Sequence, residues 1–423
     1  MDETVPYGIS VDIGTTWVTV HIIDILRKRV VLERVFENPQ SVVGLDVVTR
    51  IKYGANDASR SGWLTSIIRE SINRAVQESL SALGVQPESV KTVVVVGNTV
   101  MHHLFYSLPV DMLVRTPYVA ETKSSISTKA SMVGLCLGKN TVCYSPPVVE
   151  SYVGPDALAV LEASNLIGRA EPSLMIDIGT NTEVLLQSHK GLWVASAASG
   201  PAFEGMAIEC GMPAKSGAIF RVKIDRSSLR PLPEVIGNEK PGGICGTGIV
   251  SALAEMLRAG IIDSVGSFNR SMESVWLPRS HVTARYLLCQ AVESASGHPV
   301  YVSQPDVRLV QQSKAAIHAA IAVVLQACGL SPDRIQTVYM TGSFGSQLDL
   351  EDAFRIGLFP RFDHARMNQV RGGASIGADV MVWDTTARRR AEKVASSIRY
   401  LELLDNAAFE IKYAQTQLFP SGD

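Results

Sequence analysis

The sequence has few cysteines, and they are scattered. No Cys-X-X-Cys motif occurs among the six, which are Cys136, Cys143, Cys210, Cys245, Cys289 and Cys328. An iron–sulfur or zinc site within one chain requires clustered thiolates, so we expect no iron–sulfur cluster in this chain. A chain of 423 residues can bury a sizeable core without disulfide or metal cross-links, and we therefore expect no disulfide framework.

The sequence also has little excess of either charge and no long apolar run. The 39 basic and 41 acidic side chains give a net charge of -2, which argues against nucleic-acid binding by bulk electrostatics. The most apolar stretch, residues 315–330, is interrupted by His318 and Gln326 and is too short to cross a bilayer. The start, MDETVPYGIS, has acidic residues where a signal peptide has basic ones. We expect a cytoplasmic protein that binds neither nucleic acid nor membranes.

The sequence does contain a repeated pattern. Residues 8–20 (GISVDIGTTWVTV) and 173–185 (SLMIDIGTNTEVL) each combine an apolar strand, Asp-Ile-Gly-Thr and an apolar return, which predicts two β-hairpins. Downstream, residues 82–98 and 327–343 share a helix that ends at glycine, a proline turn and a strand that ends at glycine. Two matching pairs in the same order predict a duplicated α/β unit with mostly parallel sheets. Two such lobes imply a ligand-binding cleft between them.

We place the boundary between the two lobes after residue 170. Lobe I comprises residues 1–170 and is joined by a C-terminal helix within residues 385–423, while lobe II comprises residues 171–384. Residues 386–413 have the charge and apolar pattern of one amphipathic helix.

Each hairpin carries an aspartate followed by a glycine and hydroxyl side chains. Gly14 lets backbone N–H groups approach a phosphate, and Thr15 and Thr16 add hydroxyl donors. Asp12 cannot pair with phosphate, but it can bind Mg²⁺, directly or through water. The second hairpin supplies the same groups with Asp177, Gly179, Thr180, Asn181 and Thr182. One copy alone is explained as well by a plain turn, whereas two copies predict nucleotide binding, with Asp12 and Asp177 as catalytic residues and magnesium ligands.

Other candidates follow the second hairpin. Gly246, Thr247 and Gly248 open a helix, whose first N–H groups favour a phosphate or ribose. At the end of a later strand, a base or ribose is expected against Gly342, Ser343, Phe344 and Gly345, with an ordinary strand-to-helix turn as the alternative.

Glu204 and the adjacent pair His102 and His103 each have two interpretations. Glu204 is a candidate both for orienting the attacking water and for capping the next helix, and the sequence leaves the choice open. His102 and His103 are interpreted as histidines satisfied within a helix rather than metal ligands.

In this order the motifs resemble those of the actin / sugar kinase / heat-shock chaperone (ASKHA) superfamily. Phosphate 1, connect 1, phosphate 2, adenosine and connect 2 correspond to residues 12–16, 154–167, 177–182, 338–346 and 371–381. The resemblance implies a two-lobed α/β fold built from a duplicated ribonuclease-H-like unit. It also implies that ATP and Mg²⁺ bind in the cleft between the lobes.

Longer strings resemble the C-terminal ATPase domain of reductive activators of corrinoid-dependent proteins. They are VVVGNTVMHHLF (94–105), DIGTNTEV (177–184), SGPAFEGM (199–206), GGICGTGIVSALAEMLRAGIID (242–263) and TGSFGSQLDL (341–350). The resemblance implies an ATPase that couples hydrolysis to the reduction of cobalt(II) to cobalt(I) in a corrinoid protein, and we expect a homodimer. Because this sequence has no cysteine cluster, we expect the electrons to come from a separate low-potential iron–sulfur donor or from a domain outside it.

Three other interpretations remain, and one of them is an interaction module that is gated by a nucleotide and has no catalytic activity. In activators of 2-hydroxyacyl-CoA dehydratases, a dimer shares one iron–sulfur cluster, bound by a cysteine just before a Gly-Thr-Gly helix start, and Cys245 lies near that place. A small-molecule kinase would use a catalytic carboxylate such as Asp12, but no sugar-kinase signature is present.

Overall fold

The computed structural model describes residues 5–55, 57–278, 283–345 and 347–421, apart from the side chain of Ser343. These residues form two compact α/β units. Unit 1 consists of Met1–Ala170, Gln187–Val194 and Gly372–Tyr400, and unit 2 consists of Glu171–Leu186, Ala195–Arg371 and Leu401–Asp423.

The elements are numbered here in chain order. The strands are β1 (Tyr7–Ile13), β2 (Trp17–Asp24), β3 (Arg29–Glu37), β4 (Val90–Gly97), β5 (Ile126–Lys129), β6 (Val142–Ser145), β7 (Ser173–Ile178), β8 (Thr182–Ser188), β9 (Gly191–Ala197), β10 (Ala218–Asp225), β11 (Arg230–Val235), β12 (Gly243–Ile244), β13 (Arg285–Cys289), β14 (Val300–Ser303), β15 (Thr337–Thr341), β16 (Arg366–Gln369) and β17 (Arg399–Tyr400). The helices are α1 (Val47–Gly54), α2 (Ala58–Leu83), α3 (Thr99–Tyr106), α4 (Pro155–Ser164), α5 (Gly246–Arg258), α6 (Gln304–Cys328), α7 (Gly342–Gly345), α8 (Leu350–Ile356), α9 (Gly373–Trp383), α10 (Thr385–Ala395) and α11 (Ala407–Thr416).

Two six-stranded sheets organise the fold. The first has the order β3-β2-β1-β4-β6-β5, and the second has the order β16-β15-β7-β8-β9-β17. In the first sheet β1 runs antiparallel to β2 and parallel to β4. Its apolar side chains, such as Ile9, Val11 and Ile13, are buried in the core of unit 1 together with Ile68 and Ile72 of α2.

The predicted duplication is confirmed. In each copy a long helix ends at a glycine with left-handed backbone, Gly84 after α2 (φ 65°) and Gly329 after α6 (φ 64°). The strand that follows then pairs in parallel with the strand that carries the aspartate, β4 with β1 and β15 with β7. The left-handed conformation favours glycine because it has no Cβ.

The units differ from the predicted lobes in three places. Residues 187–194, predicted in lobe II, lie in unit 1. Residues 372–384 lie in unit 1, where α9 packs against β1, β4 and α4. Residues 401–423 are assigned to unit 2, because α11 packs against α6.

The single amphipathic helix predicted over residues 386–413 is wrong. It is divided into α10 and α11, and between them β17 pairs with β9, with Arg399 opposite Trp193. Strand pairing requires extended backbone, so the helix cannot continue through this segment. Within the described ranges, no helix has both the length and the apolar character needed to span a membrane.

Candidate functional site

Asp12 lies one residue before the end of β1, and α9 supplies its hydrogen-bond partner. The hydroxyl of Ser375 donates to Oδ2 of Asp12 at 2.9 Å. Burial raises the pKa of Asp12 to about 6, and the Asp379 charge acts in the same direction, while Ser375 and His21 lower it. A nearby divalent cation would offset the cost of the buried charge, because opposite charge favours the ionised form. The carboxylate therefore fits Mg²⁺, which commonly binds one or two carboxylates and keeps several waters.

A second carboxylate of α9 ties this helix to the sheet of unit 1. Asp379 accepts hydrogen bonds from Ser10 Oγ at 2.5 Å and from His21 Nδ1 at 2.9 Å. On the other side of the ring, His21 Nε2 donates to Glu33 at 3.0 Å. Although burial lowers the pKa of His21, the hydrogen bonds and charges of Asp379 and Glu33 raise it above its ordinary value. Together these hydrogen bonds between charged and polar side chains link α9 to β1, β2 and β3 near Asp12.

The tip of the first hairpin is a closed turn. The N–H of Gly14 donates to the carbonyl of Trp17 at 2.9 Å. Thr15 and Thr16 are both buried. Thr15 Oγ1 accepts a hydrogen bond from Nδ2 of Asn98 at 3.1 Å. Because Asn98 is the donor in this contact, the hydroxyl proton of Thr15 stays free for an acceptor such as a phosphate oxygen.

In unit 2, Asp177 lies beside the turn that follows β15. Asp177 pairs with Thr341 in the parallel register of β7 and β15. A Cβ added at Gly342 would lie 2.8 Å from Asp177 Oδ1 and 2.3 Å from the carbonyl oxygen of Ile178, and Gly342 has a φ of 88°. Only glycine satisfies both conditions, so Gly342 is what brings this turn to Asp177.

The tip of the second hairpin is held by the segment that follows β9. Thr180 Oγ1 donates to Oε2 of Glu204 at 3.0 Å, and the hydroxyls of Thr182 and Ser199 are 2.8 Å apart. The Glu204 carboxylate therefore faces residues 179–182. The interpretation of Glu204 as the cap of the next helix is wrong, because the N-cap position of α5 is Cys245.

The glycines at the start of α5 serve close packing. A Cβ added at Gly246 would lie 1.8 Å from the carbonyl oxygen of Phe203. A Cβ added at Gly248 would lie 2.1 Å from the carbonyl oxygen of Ile219. Both glycines are buried, whereas Thr247 between them is partly exposed and its Oγ1 lies 3.4 Å from Cys245 Sγ. Of the three predicted residues, Thr247 is the one whose side chain has some access to solvent.

The predicted adenosine segment forms a short helical turn, α7. Phe344 is buried, and its ring stacks on Phe203 with centroids 4.9 Å apart and 19° between the planes. Gly345 is also buried, and the side chain of Ser343 lies outside the described part of the chain. The aromatic pair fixes α7 against the segment that carries Glu204.

The two adjacent histidines are buried in α3. Burial lowers the pKa of His102 to about 3 and that of His103 to about 4, so both rings are neutral near pH 7. His103 Nδ1 donates to the carbonyl of Thr99 at 2.8 Å, and its Nε2 accepts from the N–H of Glu121 at 3.1 Å. Over the described residues, no three His, Cys, Asp or Glu side chains are grouped as a metal site.

The sequence interpretation missed two hydroxyls that hold the hairpins, Ser375 and Ser199. Both lie inside segments already singled out, at 371–381 and 199–206. A polar side chain conspicuous among small apolar neighbours, as in Gly-Ala-Ser-Ile-Gly, is the signal that would have found Ser375.

The comparisons with known proteins cover both units. A family described as the C-terminal domain of RACo, the ASKHA domain, matches residues 171–423, and one described as the RACo middle region matches residues 7–169. The corrinoid activation enzyme RamQ of Eubacterium limosum is 28% identical over 421 residues, which are 98% of this chain and 70% of RamQ.

Two further relatives also have names that refer to corrinoid proteins. The [Co(II) methylated amine-specific corrinoid protein] reductase of Methanosarcina barkeri is 26% identical over 388 residues, covering 84% of this chain and 66% of the reductase. A solved structure, the reductive activator for corrinoid,iron-sulfur protein, superimposes with a TM-score of 0.89 and 29% identity, covering all of this chain and 67% of that one. This chain thus spans about two thirds of the length of these relatives.

Proposed function

Because the chain belongs to the RACo family, whose middle region and C-terminal ASKHA domain it matches, we propose that it is an ATP-dependent reductive activator of a corrinoid protein. The observation that carries the ATP part is the recurrence of one aspartate hairpin in both units, each beside a parallel strand from the duplicated pattern. The partner class is supported by the names of the relatives, which activate or reduce corrinoid proteins.

In this proposal the first hairpin binds Mg²⁺ and phosphate. The carboxylate of Asp12, oriented by Ser375, holds the metal directly or through water. Gly14, Thr15 and Thr16 supply backbone and hydroxyl donors. When bound, Mg²⁺ neutralises charge that develops on the phosphate oxygens during transfer.

The second hairpin binds phosphate in the same way. Residues 179–182 would supply the donors, and Asp177 would hold Mg²⁺ directly or through water. Glu204 is 3.0 Å from the hydroxyl of Thr180, and we assign it to orient the attacking water as a hydrogen-bond acceptor. Thr247 at the start of α5 and residues 342–345 contact the nucleoside.

Hydrolysis converts ATP and water to ADP and phosphate, while one electron converts cobalt(II) to cobalt(I). The chain supplies no electron in this scheme, so a low-potential iron–sulfur donor outside residues 1–423 must provide it. For one electron, a tenfold shift of the equilibrium corresponds to about 59 mV. Binding of the corrinoid protein is the event expected to complete the ATPase site, because free hydrolysis would waste the coupling.

The position of Cys245 argues against the dehydratase-activator alternative. This residue is 1% exposed, and its Sγ lies 3.3 Å from the carbonyl oxygen of Ile219. A cysteine that binds a cluster shared by two subunits must reach the protein surface. Cys245 is instead buried at the N-cap position of α5.

The proposal is tested by following cobalt(I) formation by its visible absorption under anaerobic conditions. The full chain, ATP–Mg²⁺, a cobalt(II) corrinoid protein and a low-potential reductant should together produce cobalt(I). Omission of ATP or of the reductant should abolish the signal, and ADP serves as the control nucleotide. ATP turnover should be slow without the corrinoid protein and faster with it.

Three results would contradict the proposal. Cobalt(I) formation that is equal with ATP and ADP would exclude coupling. Fast turnover that consumes a small phosphate acceptor would indicate a kinase. Stoichiometric iron and sulfide that are lost in a Cys245→Ser variant would indicate the dehydratase-activator type. Light scattering of the same preparation tests the predicted homodimer.

A further inference from the structure

Three consecutive carbonyl groups at the tip of the β1–β2 hairpin are held from the protein side. The contacts are Asn38 Nδ2 to the carbonyl of Gly14 at 2.8 Å, Arg50 Nη2 to that of Thr15 at 2.6 Å, and the Asn38 N–H to that of Thr16 at 2.8 Å. In a trans peptide the N–H points opposite to the carbonyl of the same peptide plane. The N–H groups of residues 15–17 therefore point away from Arg50 and Asn38.

The guanidinium of Arg50 is the charged member of this set. Arg50 lies in α1 and is 0% exposed. Its Nε donates to the carbonyl of Gly44 at 2.9 Å while its Nη2 donates to Thr15, so two arms of the fork join the hairpin to the segment before α1. Arginine stays protonated when buried, so a positive charge lies directly behind the turn.

We propose that Arg50 is a positioning residue for the phosphates of ATP, an inference that rests on the proposed function. Arg50 fixes the Thr15 carbonyl, and with it the direction of the Thr16 N–H, which we assign together with its neighbours to anion binding. The buried positive charge raises the potential at the turn and so favours an anion there. Arg50 acts through the turn and not by contact with the nucleotide.

Two substitutions separate geometry from charge. Arg50→Met removes both the charge and the donors, at similar side-chain length. Arg50→Lys keeps the charge, but a single ammonium does not reproduce the planar fork between Thr15 and Gly44. The matched control is Arg69→Met in the same unit. Arg69 of α2 donates through Nε and Nη2 to the carbonyl of Phe105, at 2.8 and 2.6 Å, and so loses the same kind of contact elsewhere.

Calorimetry of ATP–Mg²⁺ and of adenosine with the four full-length proteins tests the inference. Arg50→Met should weaken ATP–Mg²⁺ binding at least tenfold and change adenosine affinity less than twofold, because adenosine has no phosphate. Arg50→Lys should fall between Arg50→Met and wild type, and Arg69→Met should match wild type for both ligands.

The contrary outcomes are distinct. If Arg50→Met binds ATP–Mg²⁺ as Arg69→Met does, or if it loses ATP and adenosine affinity equally, Arg50 has only a structural role and the inference is overturned. If Arg50→Met does not fold, Arg50→Lys decides, and wild-type ATP affinity in that variant overturns the inference. A wild-type chain that binds adenosine and ATP equally, or neither, overturns the proposed function itself.

Discussion

The hydroxyl of Ser375 donates a 2.9 Å hydrogen bond to the carboxylate of Asp12 from 363 residues further along the chain. The contact joins α9 to the end of β1 within unit 1. A hydroxyl that donates to a carboxylate favours its ionised form. In this way α9 partly opposes the effect of burial on Asp12 and keeps the carboxylate usable for a metal ion.

The aspartates of the two hairpins should each be required for metal-dependent nucleotide binding. Asp12→Ala and Asp177→Ala are expected to weaken ATP–Mg²⁺ binding or hydrolysis at least tenfold, or about 1.4 kcal/mol. Calorimetry with and without Mg²⁺ measures the effect. Asp384→Ala, at the start of α10, is the control carboxylate. Unchanged affinity and turnover in both hairpin variants would contradict the assigned roles.

Removal of the Ser375 hydroxyl should make ATP–Mg²⁺ binding more sensitive to acid. The Ser375 hydrogen bond lowers the pKa of Asp12, so Ser375→Ala is expected to raise that pKa further above about 6. Protons then compete better with the metal, and the loss of affinity between pH 8 and pH 6 should exceed that of wild type by about threefold or more. The exposed Ser396 provides the control variant, Ser396→Ala. Parallel pH profiles for Ser375→Ala and wild type would contradict this prediction.

The ligand-free protein should lose stability when Asp12 ionises. Burial raises its pKa from 3.8 to about 6, so the folded state binds this proton more tightly than the unfolded state. The stabilisation is fully present below pH 3.8 and is lost as the pH rises through about 6. Relative to Asp12→Asn, wild type should lose roughly 2 kcal/mol of unfolding free energy between pH 4 and pH 7. Urea denaturation at several pH values measures it, and a pH-independent difference would refute the assignment.

The two glycines of α7 should respond differently to a methyl group. A Cβ at Gly342 would lie 2.3 Å from a backbone oxygen, whereas the nearest atoms to a Cβ at Gly345 are 3.5 Å away. Gly342→Ala is expected to destabilise unit 2 by about 2 kcal/mol or more, since it adds a steric clash to an unfavourable φ. Gly345→Ala should cost less than about 1 kcal/mol. Thermal unfolding compares them, and equal stability of the two variants would mean that the close approach of the Gly342 turn to Asp177 is not rigid.

Lys314 should make the protein more stable at alkaline pH. Its ammonium is buried in α6 and donates to the carbonyls of Thr416 and Leu418. Burial lowers the pKa of Lys314 from 10.5 to about 7, so its contribution is present above pH 10.5 and is lost as the pH falls through about 7. Between pH 7.5 and 9.5 wild type should gain roughly 2 kcal/mol relative to Lys314→Met. Lys393→Met, at an exposed position, is the control. A difference that does not change with pH would contradict the lowered pKa of Lys314.

The sequence predicted those parts of the fold that depend on local patterns. Both Asp-Ile-Gly-Thr hairpins are formed, and the helices end at Gly84 and Gly329 as expected, because strand alternation and helix capping are set by neighbouring residues. The prediction of one helix over residues 386–413 is wrong because the amphipathic pattern does not indicate that Arg399 pairs with Trp193. Long-range pairing overrode the local preference.

The candidate site was predicted in its turns but not in the residues that support them. Asp12 and Asp177 are apparent from the repeat, whereas Arg50 reaches the Thr15 carbonyl from another element and has no local motif. Gly246 and Gly248, which are predicted to contact the ligand through backbone N–H groups, have in addition adjacent carbonyl oxygens that require glycine there. A glycine motif alone does not distinguish room for a ligand from room for the backbone.

The division of unit 1 into three chain segments limits how the protein can be dissected. A polypeptide that ended at residue 170 would lack α9. This helix packs against α4, where its Gly377 lies close to the carbonyl of Ala159. The β1–β4 core of the shortened polypeptide would be open to solvent, and such a fragment would be prone to aggregation. A minimal version of unit 1 therefore requires residues 187–194 and 372–400 to be joined to residues 1–170 through short linkers, in their native order.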